Sequence, residues 1–398
     1  MDRPSGKVWM KKLKVAVSTL NQTVKAPTGL LYYYAQLAHL LPEVDPDTEY
    51  HFVVGGGGGG YFHPDAKASV RRVGWDNAAK LKRVASEHFL IGPWAALNGI
   101  DVLFIANAGV APLLLPARVK LVLGLFGFHQ FSPGETAAAS SAYRRALFAR
   151  SIACSARIVL NSHYSLSLLD KTATVDPARI DIFPHGRDEE LFHDGPLTAD
   201  ERMRFAALGL PSRYFCFVSQ MYPYKNVECA VEGFCRFVVR GGAPQHFVLV
   251  GQFDKHSPAG AAYRQTLIDI AAGYGLVDRL VFLENISAKL LRALYLSADA
   301  YIQSSLAETF GKTTVEAMAC GCPVIAARAA ATPEVLGDAG LYYEPRDAEG
   351  LATQLAALAE NPALSADLRA RGLVRSQLFS IREEARLLSN VFKKAAMG

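Results

Sequence analysis

Two glutamates, Glu308 and Glu316, lie on either side of a predicted helix start at Lys312. The first N–H groups of a helix have no partner within it and carry the positive end of its dipole, so this position suits an anion. Glu316 lies about one turn into the helix, where a carboxylate can accept two hydroxyls of a ribose. Glu308 precedes the helix in a loop, where it can accept sugar hydroxyls. The alternative is an ordinary capped helix with an exposed Glu316.

The residues next to this helix start fit an anion site. Thr313 and Thr314 place hydroxyl donors in the first turn, and Gly311 ends the preceding loop. Gly321 is typical of the position just after a helix, and Pro323 opens the next strand.

Three other residues follow predicted strands. Lys225, in FVSQMYPYKN, lies at a strand-to-helix turn, where its ammonium could neutralise a diphosphate. Gly29 follows the first strand, and its bare backbone would let phosphates approach closely. His129, in LGLFGFHQFSP, follows the carboxyl end of a central strand. Taken alone, such a lysine is more often a surface residue and such a histidine is more often structural.

The elements that must position these residues alternate between short apolar runs and longer segments of helical period. The runs are continuously apolar, as in parallel strands whose sheet has helices on both faces. The predicted strands are 14–18, 50–54, 101–105, 120–125, 157–161, 179–183, 214–219, 246–251, 279–283, 300–303 and 323–326. The predicted helices are 30–41, 77–88, 136–154, 227–239, 261–274, 288–296, 312–320 and 381–396. This pattern indicates an α/β doubly wound fold in two Rossmann-like halves.

The polar, turn-rich segment HGRDEELFHDGPLTADER separates the two halves. We predict an N-terminal domain over residues 1–190, a linker over 191–212 and a C-terminal domain over 213–380. A C-terminal amphipathic helix over 381–398 is expected to pack back on the N-terminal domain. Because ligands of such sheets bind beyond the carboxyl ends of the strands, the active site is expected in a cleft between the domains.

The chain of 398 residues is 51% hydrophobic and 20% charged, which indicates a folded globular protein. Its net charge of +5 is too small to indicate nucleic-acid binding. The charge is uneven, because residues 1–150 carry +7 and residues 151–398 carry −2. The basic clusters of the first part predict either peripheral contact with an anionic membrane or an ordinary solvated face. They lie at residues 11–14, 71–72, 80–83 and 144–145.

The sequence also bears on the location of the protein in the cell. No apolar run is long enough to span a membrane, and the first residues lack the apolar stretch of a signal peptide, so we expect a cytoplasmic protein. The six cysteines include no C-x-x-C pair, and we expect neither a disulfide nor a zinc site.

Two patterns look like ligand sites but lack the context of one. The glycines at residues 55–60 satisfy G-x-G-x-x-G after a strand, yet no helical period follows to hold a pyrophosphate, so we interpret them as a flexible loop. Asp45 and Asp47 form a D-x-D pair that could hold a divalent metal. Pro42 and Pro46 place this pair in a loop at the wrong end of the next strand, and we predict no metal site.

Together these pieces closely resemble the retaining GT-B glycosyltransferases of family 4. Glu308 and Glu316, with seven residues between them, match the E-x7-E motif of that family. The stretch from GCPVIAA to ATPEVLGDAGLYYEP matches the family pattern almost without gaps. The resemblance is strong over residues 214–375 and looser before, where LNSHYS, IDIFPHGRD and GFHQ are recognisable. It implies the GT-B fold, two Rossmann-like domains that face each other across a cleft.

The resemblance also implies roles for single residues. The residue matching Glu308 contacts the transferred sugar, and the residue matching His129 contacts that sugar near its reactive face. The residue matching Glu316 contacts the ribose, and that matching Lys225 contacts the diphosphate. Backbone amides that match residues 310–312 hold phosphates and sugar. The implied donor-binding residues are Gly29, Gln220, Lys225, Thr309, Phe310, Gly311, Lys312, Thr313 and Glu316.

Three positions depart from the family pattern. Gln220 stands where the family usually has arginine, which removes one positive charge from the diphosphate side. Thr309 stands where glycine is commonest, and His185-Gly186 replaces the usual Asn-Gly.

The resemblance predicts a metal-independent hexosyltransferase that acts with retention. Its donor would be GDP-mannose or a UDP-hexose, which is a substrate, and no cofactor is expected. No two carboxylates flank a bond in the glycosidase manner, so we expect a front-face substitution in which the departing phosphate takes the acceptor proton. The alternatives are a GT-B nucleotide-sugar epimerase, a phosphorylase of similar architecture, and an inactive scaffold that binds sugar or a partner enzyme.

The acceptor has no motif in this sequence. The basic N-terminal half and the aromatic residues Trp94, Phe126, Phe128 and Phe131 are compatible with a lipid-linked glycan at the inner face of a membrane. We therefore predict a mannose or glucose transfer to a glycan or lipid-linked acceptor in cell-surface polysaccharide synthesis, such as lipopolysaccharide assembly.

Overall fold

The computed structural model describes residues 12–20, 29–55, 62, 67–74, 80–106, 110–127, 138–242, 245–253 and 258–398. The chain forms two compact units. The first unit comprises Met1–Asn161, Ser165–Phe183 and Arg382–Gly398, and the second comprises Ser162–Tyr164 and Pro184–Ile381. Several residues named above lie outside the described residues: His129, Phe128, Phe131 and residues 56–60 of the glycine run.

The first unit is built on a parallel sheet of seven strands. These are β1 (Leu13–Ser18), β2 (Thr48–Val54), β3 (Ser69–Arg72), β4 (Val102–Ala106), β5 (Lys120–Leu125), β6 (Ser155–Leu160) and β7 (Ile180–Ile182). Their order in the sheet is β3-β2-β1-β4-β5-β6-β7. Its helices are α1 (Gly29–Val44), α2 (Lys80–Ala85), α3 (Ile91–Leu97), α4 (Ala138–Cys154) and α5 (His163–Asp170), whose first two residues are counted with the second unit.

The second unit has a parallel sheet of six strands. These are β8 (Tyr214–Val218), β9 (His246–Val250), β10 (Leu280–Leu283), β11 (Ala300–Gln303), β12 (Val324–Ala327) and β13 (Gly340–Tyr343), in the order β10-β9-β8-β11-β12-β13. Its helices are α6 (Ala199–Ala206), α7 (Val227–Val239), α8 (Pro258–Gly273), α9 (Ala288–Ser297), α10 (Lys312–Ala319), α11 (Thr332–Leu336), α12 (Ala348–Glu360) and α13 (Pro362–Ser376). No described helix has the length and apolar character to cross a bilayer.

The continuous apolar runs of the sequence form the inner strands of both sheets. All residues of β4 and β8 are buried, because helices cover both faces of a doubly wound sheet. The short edge strands β3 and β13 have no such run, and their residues are mostly half-buried or exposed. For this reason the sequence did not predict them.

The segment predicted as a linker, residues 191–212, packs as part of the second unit. Phe192, Phe205 and Leu210 lie against its core, and α6 carries a full capping box at Thr198. The side chain of Arg292, from α9, is 2% exposed and donates hydrogen bonds to carbonyl groups of this segment. Apart from Ser162–Tyr164, the second unit runs from Pro184 to Ile381 and includes this segment.

The last helix, α14 (Ile381–Met397), belongs to the first unit from Arg382 onward. Its apolar side is buried, and its polar residues also enter the first unit: Tyr33 OH donates to Glu384 Oε1 at 2.8 Å, with both groups buried. The carboxylate of Asp45 accepts hydrogen bonds from Ser389 Oγ at 2.6 Å and Lys393 Nζ at 3.0 Å. Asp45 of the D-x-D pattern therefore anchors helix α14 to the first unit.

Replacing Asp45 by alanine is expected to destabilise the first unit by about 2–4 kcal/mol, because several buried donors lose their acceptor together. Thr48 Oγ1 at 2.8 Å is among these donors. The matched control is Asp47→Ala, since Asp47 is exposed and its loss should stay within about 0.5 kcal/mol. Chemical unfolding would measure both. Equal unfolding midpoints for the two variants would show that Asp45 does not anchor α14.

Candidate functional site

The two sequence motifs of the second unit meet where its strand order reverses. β8 and β11 are neighbours in the sheet although they are far apart in the chain. The loop after β8 leads to Lys225, and the loop after β11 leads to Glu308. In open α/β sheets this switch point, at the carboxyl ends of the strands, is the usual place for a ligand.

Hydrogen bonds tie these two loops together. Ser304 Oγ donates to the carbonyl of Lys225 at 2.7 Å, and the N–H of Leu306 donates to the carbonyl of Tyr224 at 2.9 Å. Asn226, with φ of 52°, has the left-handed backbone conformation that asparagine tolerates, and its side chain donates to the carbonyl of Ser304 at 3.4 Å. Neither Ser304 nor Asn226 was predicted as a site residue, and the signal that could have found them is a short polar side chain next to a strand end.

Lys225 and Glu308 form an ion pair at the centre of this arrangement. Their side chains are 12% and 19% exposed, so water screens the pair only in part. The ammonium of Lys225 also lies 5.0 Å from the ring centre of Tyr224. The structure thus brings together two of the three predicted catalytic residues. A ligand with its own negative charge would compete with Glu308 for Lys225.

The loop that carries Glu308 is fixed by contacts on both sides. The carbonyl of Glu308 accepts from the N–H of Ala331 at 3.0 Å, and the carbonyl of Thr309 accepts from Ser162 Oγ at 2.6 Å. Phe310 is buried, and the ring of His185 meets it edge-on at 5.5 Å. These contacts hold the loop, and with it Glu308, in place before a ligand binds.

Helix α10 begins directly after this loop. Gly311 precedes it with φ of 91°, a left-handed conformation that strains any residue with a side chain. In the first turn, Thr313 Oγ1 lies 2.8 Å from Tyr301 OH, whereas the buried Thr314 Oγ1 has no hydrogen-bond partner among the described residues. Lys312 at the first helical position adds a positive charge. This end of α10 has the polarity that an anion requires.

Glu316 lies one turn into α10 and is buried, being 8% exposed. Burial raises its pKa from 4.5 to about 7, although nearby Lys312 opposes the rise. The interpretation of Glu316 as an exposed helix residue is therefore wrong. A buried carboxylate that is half ionised near neutral pH can accept hydroxyl hydrogens once a ligand covers it.

The raised pKa of Glu316 gives the stability of the second unit a pH dependence. The folded protein keeps the proton to a higher pH than the unfolded chain, so this contribution is complete below about pH 4.5 and is lost as the pH rises through about 7. We expect Glu316→Gln to match the wild-type melting temperature at pH 4 and to exceed it by about 5 °C at pH 8. Differential scanning calorimetry at both pH values tests this, and the same difference at both would contradict it.

The other predicted site residues lie as follows. Gln220 is exposed in the loop after β8, and Gly29 is the first residue of α1 in the first unit. His129 is not among the described residues. Gly251, which follows β9, was not predicted: a Cβ there would lie 1.7 Å from the carbonyl oxygen of Ser219, so the loops after β8 and β9 pack too closely for any side chain.

A family comparison agrees with this geometry. Residues 200–374, which contain Lys225, Glu308, α10 and Glu316, match the family model described as glycosyl transferases group 1. This stretch of the second unit is therefore similar to the group 1 glycosyl transferases. Over 250 residues, or 62% of the chain, the protein is 30% identical to a D-inositol 3-phosphate glycosyltransferase of Rhodococcus opacus (strain B4). That alignment covers 55% of the relative, so the chain spans just over half of its length.

Solved structures resemble nearly the whole chain in fold, the first unit as well as the second. The sucrose-phosphate synthase (tll1590) from Thermosynechococcus elongatus matches 96% of this chain and 98% of its own, with a TM-score of 0.75 and 18% identity. Anabaena Alr3699/HepE in complex with UDP-glucose matches 96% and 99%, with a TM-score of 0.72 and 18% identity. The prediction of the GT-B fold, an α/β fold with two Rossmann-like domains, is confirmed.

Proposed function

We propose that this protein is a retaining, metal-independent hexosyltransferase that uses a nucleoside diphosphate sugar as donor. The single observation that carries the proposal is the ion pair of Lys225 and Glu308 beside the start of α10, at the switch point of a unit similar to the group 1 glycosyl transferases. The cation and the helix start can hold the diphosphate, and the carboxylate of Glu308 beside them can hold the sugar. UDP-glucose in the Anabaena structure supports a UDP-hexose as donor, and GDP-mannose is the other candidate.

Each residue of the site has one task in this proposal. Lys225 binds the diphosphate and stabilises the charge that develops on it, together with the N–H groups of residues 310–312. The carboxylate of Glu316 accepts the ribose hydroxyls, and Glu308 orients the transferred hexose. The bond from the anomeric carbon to the phosphate oxygen breaks while the bond to the acceptor oxygen forms on the same face. The departing phosphate takes the acceptor proton, and His129 contacts the sugar near its reactive face.

The acceptor in this proposal is a glycan or lipid-linked glycan of cell-surface polysaccharide synthesis, reached at the inner face of a membrane. The positive balance of the first 150 residues and the relative named as acting on an inositol phosphate support an acceptor with anionic groups. A nucleotide-sugar epimerase would form a new sugar without any acceptor, and the E-x7-E match of Glu308 and Glu316 disfavours it.

A thermal-shift panel with UDP, GDP and ADP tests the proposal first. A ligand that binds only the folded protein raises its melting temperature, and a concentration of a hundred times Kd stabilises by about 2.7 kcal/mol. We expect one of the three to shift the wild type and to shift Lys225→Gln far less. The absence of any shift would favour the inactive scaffold over an enzyme.

A further inference from the structure

An exposed apolar stripe runs along the helical rod of the first unit that comprises α2, a π turn at Ser86–Leu90 and α3. Leu81 and Leu97 are each 86% exposed, and Phe89 between them is 48% exposed. Their spacing of eight residues is slightly more than two α-helical turns, and the wider π turn takes up part of the excess. These three side chains form the exposed apolar part of the rod, whereas its residues Ser86, His88, Ile91 and Ala95 are buried.

A neighbouring loop extends this stripe. The N–H of Leu114 donates to the carbonyl of His88 at 3.1 Å, so the loop runs along the rod next to Phe89. Leu113 and Leu114 are 39% and 51% exposed. We call these five side chains the leucine patch: Leu81, Phe89, Leu97, Leu113 and Leu114. Exposed groups of large apolar residues mark binding surfaces for proteins or membranes.

Basic side chains flank the leucine patch. Lys82 is exposed next to Leu81. The guanidinium of Arg118 donates to the carbonyl of Ala96, next to Leu97, and that of Arg150 donates to the carbonyl of Leu113 at 3.2 Å. The sequence segments 80–98 and 110–120 contain one acidic residue, Glu87, and its carboxylate is held near Arg83. An anionic partner meets no exposed repelling charge on these segments.

We propose that the leucine patch docks the first unit on an anionic lipid bilayer. Its apolar side chains enter the boundary between headgroups and acyl chains, and Lys82, Arg118 and Arg150 bind lipid phosphates. The choice of a lipid surface rests on the proposed function, because a lipid-linked acceptor is presented there. Two of the aromatic residues predicted for this task lie elsewhere: Trp94 is half-buried against the core, and Phe126 packs edge-on against Tyr33.

Flotation of the full chain with vesicles tests the proposal, using phosphatidylcholine alone and phosphatidylcholine mixed with phosphatidylglycerol. We expect binding to the mixed vesicles only. The triple variant Leu81→Ser, Phe89→Ser, Leu97→Ser and the double variant Lys82→Glu, Arg118→Glu should each weaken it by at least about tenfold. The matched control is Val374→Ser with Leu378→Ser, two residues of the second unit that are 67% and 63% exposed. The control should bind like the wild type.

Several outcomes would overturn the proposal. They are no binding of the wild type to anionic vesicles, equal binding by the triple variant, and equal loss in the control. Light scattering that shows a dimer abolished by the triple variant would assign the patch to a second copy of the chain. Because no donor or acceptor is present, failure here leaves the nucleotide panel unaffected, and failure of that panel leaves vesicle binding unaffected.

Discussion

Replacing Glu308 by alanine is expected to reduce sugar transfer by at least about a thousandfold, while nucleoside diphosphate binding stays within about threefold of the wild type. The carboxylate is proposed to orient the hexose, and the nucleotide is held by other groups. Its loss also frees Lys225 from the ion pair, which favours the diphosphate. Donor turnover with a mixed glycan-lipid extract as acceptor measures the first effect, and calorimetric titration measures the second.

Two further variants sharpen this experiment. Glu308→Gln keeps the size of the side chain but not its charge, so it separates orientation of the sugar from filling of space. Glu344→Gln is the matched control, because Glu344 belongs to the same unit and its side chain is 72% exposed. We expect normal activity for the control. Substantial activity in both Glu308 variants would show that another group orients the sugar.

Replacing Arg292 by methionine is expected to destabilise the second unit by about 3–5 kcal/mol, because the substitution leaves buried polar groups without a hydrogen-bond donor. The guanidinium donates to the carbonyl of His193 at 3.2 Å and also to that of Gly195. It lies 3.5 Å from the carboxylate of Glu201. Methionine fills the space of the stem but satisfies none of these acceptors, so the segment that opens the second unit loses its anchor.

Unfolding in guanidinium chloride, followed separately for the two units, measures this effect. Arg204→Met is the matched control in the same segment, because its ion pair with Asp200 is exposed. An exposed pair contributes less than about 1 kcal/mol. If the two variants unfolded at the same denaturant concentration, Arg292 would not stabilise the segment 191–212. The segment would then be held only by the packing of Phe192, Phe205 and Leu210.

The sequence predicted the local elements wherever they are long and periodic. Four predicted elements agree with the structure to within one residue: the helices over 227–239 and 288–296 and the strands over 120–125 and 300–303. The predicted helix over 77–88 did not account for the π turn, whose extra residue shifts the apolar period. Residues 77–79 of that prediction lie outside the described residues. The edge strands β3 and β13 and the helices α11 to α13 gave no clear signal of their own.

By itself the sequence determined the chemistry of the site: two glutamates at a helix start, a lysine after a strand, and a family pattern that spans them. The tertiary structure decided how these residues meet. Lys225 and Glu308 are 83 positions apart in the chain and become partners only because β8 lies next to β11. Asp45 acquires its role from a helix 344 positions away. Sequence periodicity is a local property, whereas ion pairs, buried carboxylates and exposed patches depend on strand order and on the packing of distant segments.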